Sequence, residues 1–136
     1  CQSIPITGAV IVSTPQDVAL NVAQRAIAMF NKLNAPVLGI IENMSHYVCA
    51  HCGARDEVFG SGGARKTAER LGLPFFGEIP LATPIRVASD RGRPIVLTQP
   101  DSPAAQAFIS VAGQLAAQIS IRAMRGELAP RVKVTF

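Results

Sequence analysis

Two apolar stretches decide the fold: GAVIVSTP at residues 8–15 and PVLGII at residues 36–41. Each is a short aliphatic run bounded by turn-forming residues, the pattern of a strand that is covered on both faces. The segment between them is long enough for a helix, and Pro36 ends it. Two buried strands joined by a helix predict a parallel βαβ unit. Helical spacing places the apolar face of the helix on Val18, Val22, Ala26, Met29, Phe30 and Leu33.

The same helix carries a start signal in the turn after the first strand. Thr14 can cap it, and Pro15 suits the first helical position. Asp17, three residues after Thr14, completes a variant of the capping box and favours the positive end of the helix dipole. The sequence therefore predicts a capped helix that starts directly after Thr14.

Further elements follow the βαβ unit and complete an α/β pattern. We expect residues 44–61 to form an irregular polar loop and residues 122–136 to form a tail of unknown role, with an added edge strand near residues 132–134. Residues 1–121 are then the C-terminal part of a parallel sheet with helices on both faces, whose earlier strands precede this chain. The remaining predicted elements are a helix at 62–71, a strand at 74–79, a short helix from Thr83 to near Gly92, and a longer helix from Asp101 with Phe108, Val111, Leu115 and Ile119 on one face.

Composition narrows the class of protein. Hydrophobic residues make up 49% of the 136 residues and charged residues 16%, which is typical of a globular chain with one core. No continuous apolar run has the length of a membrane span, and the basic residues are scattered despite a net charge of +4. We therefore expect a soluble cytoplasmic protein with no membrane or nucleic-acid partner. Three cysteines are too few and too uneven for a disulfide framework.

The sharpest chemical signal is the CxxC motif formed by Cys49 and Cys52, followed by Gly53. Two thiolates three residues apart can bind one metal centre, but zinc or an iron-sulfur cluster usually takes four ligands. His46, His51 and the distant Cys1 are candidates within the chain. A second copy related by a twofold axis would supply the same two thiolates again. Ordinary loop cysteines and a thioredoxin-like redox pair are the alternatives.

A second motif, FGSGGARKT at residues 59–67, resembles a phosphate-binding P-loop. Arg65 occupies the position of the second conserved glycine of that motif, where a side chain hinders the approach of a phosphate. The segment also follows a polar stretch and not a buried strand. We interpret it as a glycine-rich helix entry without a phosphate role.

Asn43 lies at the carboxyl end of the second predicted strand, where open α/β sheets bind their ligands. A side-chain amide can both donate to and accept from the edge of a nucleotide base. The alternative is that Asn43 is simply a turn residue.

Six segments, taken in order, resemble the second half of the Mrp/ApbC family of P-loop ATPases, which is akin to MinD and ParA. The likeness runs from about residue 3 to residue 120. It implies the C-terminal part of a P-loop NTPase-like sheet, with the Walker A loop and the magnesium-binding residues upstream of this chain. The segments are residues 8–20, 36–45, 49–52, 59–64, 72–81 and 100–103.

The resemblance also implies a function and a set of site residues. Cys49 and Cys52 are expected to hold a [4Fe-4S] cluster shared between two subunits, Asn43 to contact adenine, and Pro80 to border the base. The implied activity is that of a homodimeric carrier that delivers the cluster to apo iron-sulfur proteins, with ATP and Mg²⁺ controlling the exchange in the intact protein. A zinc-binding interaction module and a MinD/ParA-like partitioning ATPase are the competing hypotheses.

The first prediction concerns ATP hydrolysis. We expect the 136-residue chain by itself to release no phosphate from ATP, because phosphoryl transfer needs phosphate and magnesium ligands that the resemblance places upstream. Phosphate release with and without Mg²⁺ checks this. Magnesium-dependent turnover by the pure chain, unaffected by Asn43→Ala, would show that the chain has been wrongly interpreted as incomplete.

Overall fold

The computed structural model describes residues 4–127 and 132–134. The strands are β1 (Ile4–Ile6), β2 (Ala9–Ser13), β3 (Val37–Val48), β4 (Arg55–Asp56), β5 (Phe75–Leu81) and β6 (Val132–Val134). The helices are α1 (Asp17–Lys32), α2 (Gly63–Leu71), α3 (Thr83–Asp90), α4 (Ile95–Thr98) and α5 (Pro103–Met124).

The sheet is built around β3, which pairs in parallel with β2 on one side and with β5 on the other. Ile40 of β3 lies in the middle of the sheet, opposite Ile11 of β2 and Phe75 of β5. The predicted βαβ unit and third strand are therefore confirmed. β4 joins antiparallel to the far end of β3, so the complete sheet is mixed.

Helices cover both faces of the sheet, as the sequence predicts. α1 and α2 pack on one face around the fully buried Ile40, and α5 packs on the other face around Phe76 and Val111. Gly39 has no side chain, which leaves room for Phe76 to pack on the face that α5 covers. A Cβ at Gly39 would lie 2.6 Å from the Phe76 ring and 2.7 Å from the carbonyl oxygen of Pro74.

The predicted apolar face of α1 is partly wrong: Ala26 and Phe30 pack against the core as predicted, but the other four predicted residues are exposed. Val18 and Val22 are 78% and 61% exposed, while Leu20, Ala23 and Ile27 face the sheet. α1 carries two apolar stripes, and the one that is buried combines the small Ala23 with larger neighbours, which allows close packing against β2 and β3.

The predicted capping box of α1 is also absent. The helix begins at Asp17 with Gln16 as its N-cap residue, and no side chain caps it. The Thr14 hydroxyl instead donates a 3.0 Å hydrogen bond to the side-chain oxygen of Gln16. The helix starts later than predicted because Pro15 remains in the turn and does not open the helix.

The longest helix, α5, has the length and composition of a membrane span, which the sequence analysis did not anticipate. It contains 22 residues, and its most apolar 18-residue window has a mean hydropathy of 1.3. A core helix of a globular protein meets the same criterion. α5 packs on β5 and β3 through Val111, and Leu115 and Ile119 add to the contact as predicted.

The predicted strand at residues 132–134 exists, but it does not join the main sheet. β6 pairs antiparallel with β1, with Ile4 opposite Val134 and Ile6 opposite Val132. The predicted boundary at residue 121 is also early, because α5 continues to Met124. The rest of the predicted tail, at residues 128–131 and 135–136, lies outside the described residues.

The second prediction compares two glycine substitutions. We expect Gly39→Ala to lower the free energy of unfolding by about 1–3 kcal/mol, because the new methyl group meets the Phe76 ring and a backbone carbonyl. Gly113→Ala is the matched control, since that position in α5 faces open space. It should raise the free energy of unfolding by roughly 0.5–1 kcal/mol through helix propensity. Urea unfolding measures both, and a Gly39→Ala protein as stable as the wild type would contradict the packing described above.

Candidate metal centre

The CxxC motif lies at the tip of a β-hairpin. β3 continues to Val48, and β4 pairs back on it with Tyr47 opposite Asp56 and Val48 opposite Arg55. The prediction of an irregular loop over residues 44–61 is therefore wrong at residues 44–48 and 55–56. The pairing was missed because β4 is only two residues long and fully polar, so that it leaves no periodicity in the sequence.

Backbone hydrogen bonds close the turn that carries the two cysteines. The Cys49 N–H donates to the carbonyl of Ala54, and the Gly53 N–H donates to the carbonyl of Cys49, both at 2.9 Å. Gly53 has a φ of +71°, a left-handed conformation that favours glycine. Both cysteines have free thiols, with Cys49 half-buried and Cys52 exposed. The turn therefore presents both sulfur atoms at one accessible end of the hairpin.

The turn also favours the thiolate form of Cys49. The backbone N–H of Cys52 is the largest cause that lowers the pKa of the Cys49 thiol, followed by the backbone N–H of His51 and then by the side chain of Cys52. Hydrogen bonds to a sulfur atom stabilise its charged form. Metal ions bind thiolates and not thiols, so the local backbone prepares Cys49 as a ligand.

Two thiolates are all that the described part of the chain brings together. Among residues 4–127 and 132–134, no group of three or more His, Cys, Asp or Glu side chains could hold a metal ion. His46 therefore does not complete the set, and its buried Nδ1 atom has no hydrogen-bond partner. Cys1 lies outside the described residues. The donor set equals one half of a four-thiolate site.

The hairpin leaves the sheet at an irregularity opposite Pro80. Asn43 pairs with Ile79, but the next pair is Tyr47 with Leu81, so three residues of β3 lie opposite the single residue Pro80. Proline has no N–H to donate to the ladder, and bulges are where strands tolerate it. Within the bulge, Met44 has a left-handed φ of +55°.

The two residues predicted to face a nucleotide base lie at the same end of neighbouring strands. The Asn43 side-chain oxygen accepts a 3.0 Å hydrogen bond from the Met44 N–H, so this amide helps to shape the bulge. Pro80 lines an apolar cavity of about 300 Å³ whose wall also includes Cys49. Asn43 does not line that cavity.

Sequence reasoning missed a fully buried acidic residue near the site. Glu42 is 0% exposed, and its carboxylate accepts hydrogen bonds from the Ser45 hydroxyl at 2.7 Å and from the N–H groups of Gly62 and Ala64 at 3.0 and 2.8 Å. An acidic residue at the end of an otherwise apolar strand was the available signal.

The glycine-rich segment is a helix entry, as predicted. Gly62 is the N-cap residue of α2 with a φ of +72°, and the first N–H groups of the helix bind the internal Glu42 carboxylate. Arg65 stacks over the Phe75 ring at 4.5 Å and lies 3.6 Å from Glu78. A structural role thus accounts for the arginine that departs from the P-loop pattern.

A sheet of parallel strands with helices on both faces places this chain among open α/β folds, and its fold resembles that of the MinD-like P-loop NTPases. The MinD protein of Pyrococcus horikoshii, solved with Mg-ADP, matches this chain with a TM-score of 0.66 and 22% identity. The match covers 85% of this chain and 44% of that one. At this identity the likeness shows the fold alone.

Residues 1–116 match the family model described as "ParA: NUBPL iron-transfer P-loop NTPase", and the chain belongs to that family. The iron-sulfur cluster transfer protein NUBPL of Dictyostelium discoideum is 47% identical over 121 residues, which are 89% of this chain and 38% of that protein. The iron-sulfur cluster carrier protein of Deinococcus radiodurans is 51% identical over 123 residues, which are 90% of this chain and 35% of that protein. The chain therefore spans a little over a third of the length of these relatives.

The third prediction concerns the ionisation of Cys49. Because the turn lowers its pKa, the thiol should ionise at a lower pH in the folded protein than in the unfolded protein. Alkylation of the Cys49 peptide by iodoacetamide, followed by mass spectrometry across a pH series with and without urea, measures both midpoints. Cys52→Ala should retain most of the effect, because the largest cause is a backbone N–H. Equal midpoints in native and urea-unfolded protein would contradict this origin.

Proposed function

We propose that this chain carries a [4Fe-4S] cluster between two copies of itself, with Cys49 and Cys52 of each copy as ligands, and delivers the cluster to apo iron-sulfur proteins. The observation that carries the proposal is the hairpin tip, which offers two accessible thiolates and, within residues 4–127 and 132–134, no third ligand. The names of the relatives, which are cluster carriers and transfer proteins, support the same cargo.

The count of ligands favours a shared site over a closed one. A [4Fe-4S] cluster takes four thiolates, and two copies related by a twofold axis supply four from the same surface. The tip of the hairpin lies beyond the last parallel pair, Tyr47 with Leu81, and both thiols there are accessible to a second copy. Cluster binding and assembly of the dimer are then one event.

Delivery needs only ligand exchange at this site. An acceptor thiolate replaces one protein thiolate at a time, and the displaced sulfur atom takes up a proton, so the cluster changes its ligands without a change in oxidation state. Cys52 is exposed and Cys49 is half-buried, which makes Cys52 the first ligand that an acceptor can reach. A cluster held at a hairpin tip is suited to release.

In the longer polypeptides of the family, we propose that ATP and Mg²⁺ control this exchange. Asn43 would contact the adenine, and Pro80 would border it. Asn43 lies on β3, which ends one residue before Cys49, so a base that binds the Asn43 amide also acts on the bulge at the foot of the hairpin. The cytoplasm, a reducing compartment, is the proposed location because free thiolates persist there.

The fourth prediction tests the ligands. After anaerobic reconstitution, Cys49→Ser and Cys52→Ser should each lose the brown colour and the bound iron and sulfide, because either change leaves a dimer with two thiolates in place of four. Cys1→Ser is the matched control and should load like the wild type. Iron and acid-labile sulfide analysis measures all three.

Two outcomes would reject the proposal. Equal iron and sulfide content in the Cys49→Ser protein would show that the cluster is bound elsewhere. A colourless wild-type protein that binds zinc through the same cysteines would favour the zinc-binding module.

A further inference from the structure

Glu42 combines full burial with a negative charge, a combination that is costly unless hydrogen bonds compensate it. Three donors meet its two carboxylate oxygens: the Ser45 hydroxyl and the N–H groups of Gly62 and Ala64. The two backbone N–H groups can only donate, so both oxygens of Glu42 act as acceptors here. No ion pair found among the described residues includes it. The cost of burying Glu42 is therefore offset by these three hydrogen bonds and not by a paired cation.

One end of this arrangement is the bulge that starts the hairpin. Ser45 is fully buried and lies in the middle of the three residues opposite Pro80. The bond from its hydroxyl to Glu42 is only 2.7 Å long and closes a loop of three residues over the left-handed Met44. Glu42 thus fixes the backbone at the point where β3 turns towards the cysteines, four residues before Cys49.

The other end is the first turn of α2. The N–H groups of Gly62 and Ala64 lie 20 and 22 residues further along the chain and converge on the same carboxylate. The helix dipole adds to the attraction, because negative charge is favoured at a helix N-terminus. One side chain therefore joins the foot of the hairpin to a helix that is packed against the sheet.

The return arm of the hairpin is tied to the same helix. Arg55 of β4 lies 3.9 Å from Glu78 of β5, and Glu78 also faces Arg65 of α2. These side chains are partly exposed, so the ion pairs contribute little to stability. The buried Glu42 is the stronger constraint, and it acts on the arm that leads to Cys49.

We propose that Glu42 is a positioning residue for the metal-binding cysteines: its carboxylate locks the β3 bulge to the N-terminus of α2, which holds the Cys49 and Cys52 thiolates at the separation and angle that a shared metal centre needs. The proposal rests on the proposed function for the identity of the cargo. It concerns the preorganisation of the site, which any thiolate-binding metal ion can probe.

Glu42→Gln is the informative variant because it keeps the volume and removes one acceptor. If the new NH₂ group faces Ala64, it opposes that N–H; if it faces Ser45, the hydroxyl can rotate to accept, but the Gly62 N–H loses its partner. In both orientations one backbone donor loses its partner: the buried Ala64 N–H in the first case and the part-buried Gly62 N–H in the second. The link that Glu42 forms between the β3 bulge and the N-terminus of α2 must then open or shift.

The fifth prediction uses Co²⁺ as the probe, since its thiolate charge-transfer absorption reports on bond geometry. We expect Glu42→Gln to weaken Co²⁺ binding by roughly tenfold or more, the effect expected when a buried donor loses its partner. The charge-transfer band should also shift. Ser45→Ala leaves both backbone hydrogen bonds of Glu42 in place, so it should weaken Co²⁺ binding by less than Glu42→Gln does. It replaces Glu42→Gln as the test variant if that protein does not fold.

Val111→Ala is the control for a merely structural effect. Val111 is buried on the opposite face of the sheet, so its truncation should lower the melting temperature without changing the affinity or the spectrum of bound Co²⁺. Hydrogen exchange of the amides at residues 47–56 adds a readout that needs no metal. It should accelerate in Glu42→Gln and stay unchanged in Val111→Ala.

The inference is overturned if Glu42→Gln binds Co²⁺ as the wild type does. It is also overturned if Val111→Ala, with the same loss of melting temperature as Glu42→Gln, weakens Co²⁺ binding to the same extent. Failure of the proposed function looks different. In that case the wild type binds Co²⁺ through Cys49 and Cys52 but retains no iron-sulfur cluster after reconstitution.

Discussion

The burial of the Glu42 carboxylate is the constraint on which the arrangement of the site depends. A charge at 0% exposure needs donors at fixed positions, and the chain provides two of them from the start of α2 and one from Ser45. α2 must therefore begin at Gly63, directly beside Glu42 in the middle of β3. The same requirement shapes the bulge from which the cysteine hairpin extends.

That constraint places two thiolates on a rigid support but leaves them open to solvent. β3 is the central strand of the sheet, and beyond the bulge opposite Pro80 it continues into the first arm of the hairpin. The cysteines are thus connected to the core through a paired strand and not through a flexible loop. The described part of the chain offers no third ligand beside the two cysteines, so under the proposed function cargo binding and assembly would be coupled.

Much of the fold could be predicted because parallel strands that are covered on both faces leave continuous apolar runs. GAVIVSTP and PVLGII gave the position of β2 and the first half of β3 for this reason. The second half of β3 was missed, since after Glu42 the strand depends on pairing with Leu81 and with the two-residue β4. The face of α1 was only partly predicted, with Ala26 and Phe30 correct, because two apolar stripes compete on that helix and only tertiary packing selects between them.

The candidate site was predictable to the same extent. The CxxC spacing predicts Cys49 and Cys52 as ligands without any structure, because two thiolates at that spacing can reach one metal centre. The structure adds that both lie at the tip of one hairpin. The role of Glu42 could not be predicted, because its backbone donors lie 20 and 22 residues away and leave no pattern in the sequence. Likewise, nothing in the sequence places Pro80 in one cavity wall with Cys49, since a strand and a hairpin tip meet there only in the folded chain.

Native mass spectrometry of the reconstituted protein tests the central claim, a cluster shared between two half-sites, most directly. The account predicts one holo species whose mass equals two chains and a single [4Fe-4S] cluster, and which dissociates to monomers when a chelator removes the iron. A monomer that carries a complete cluster, or a dimer that carries two clusters, would contradict it.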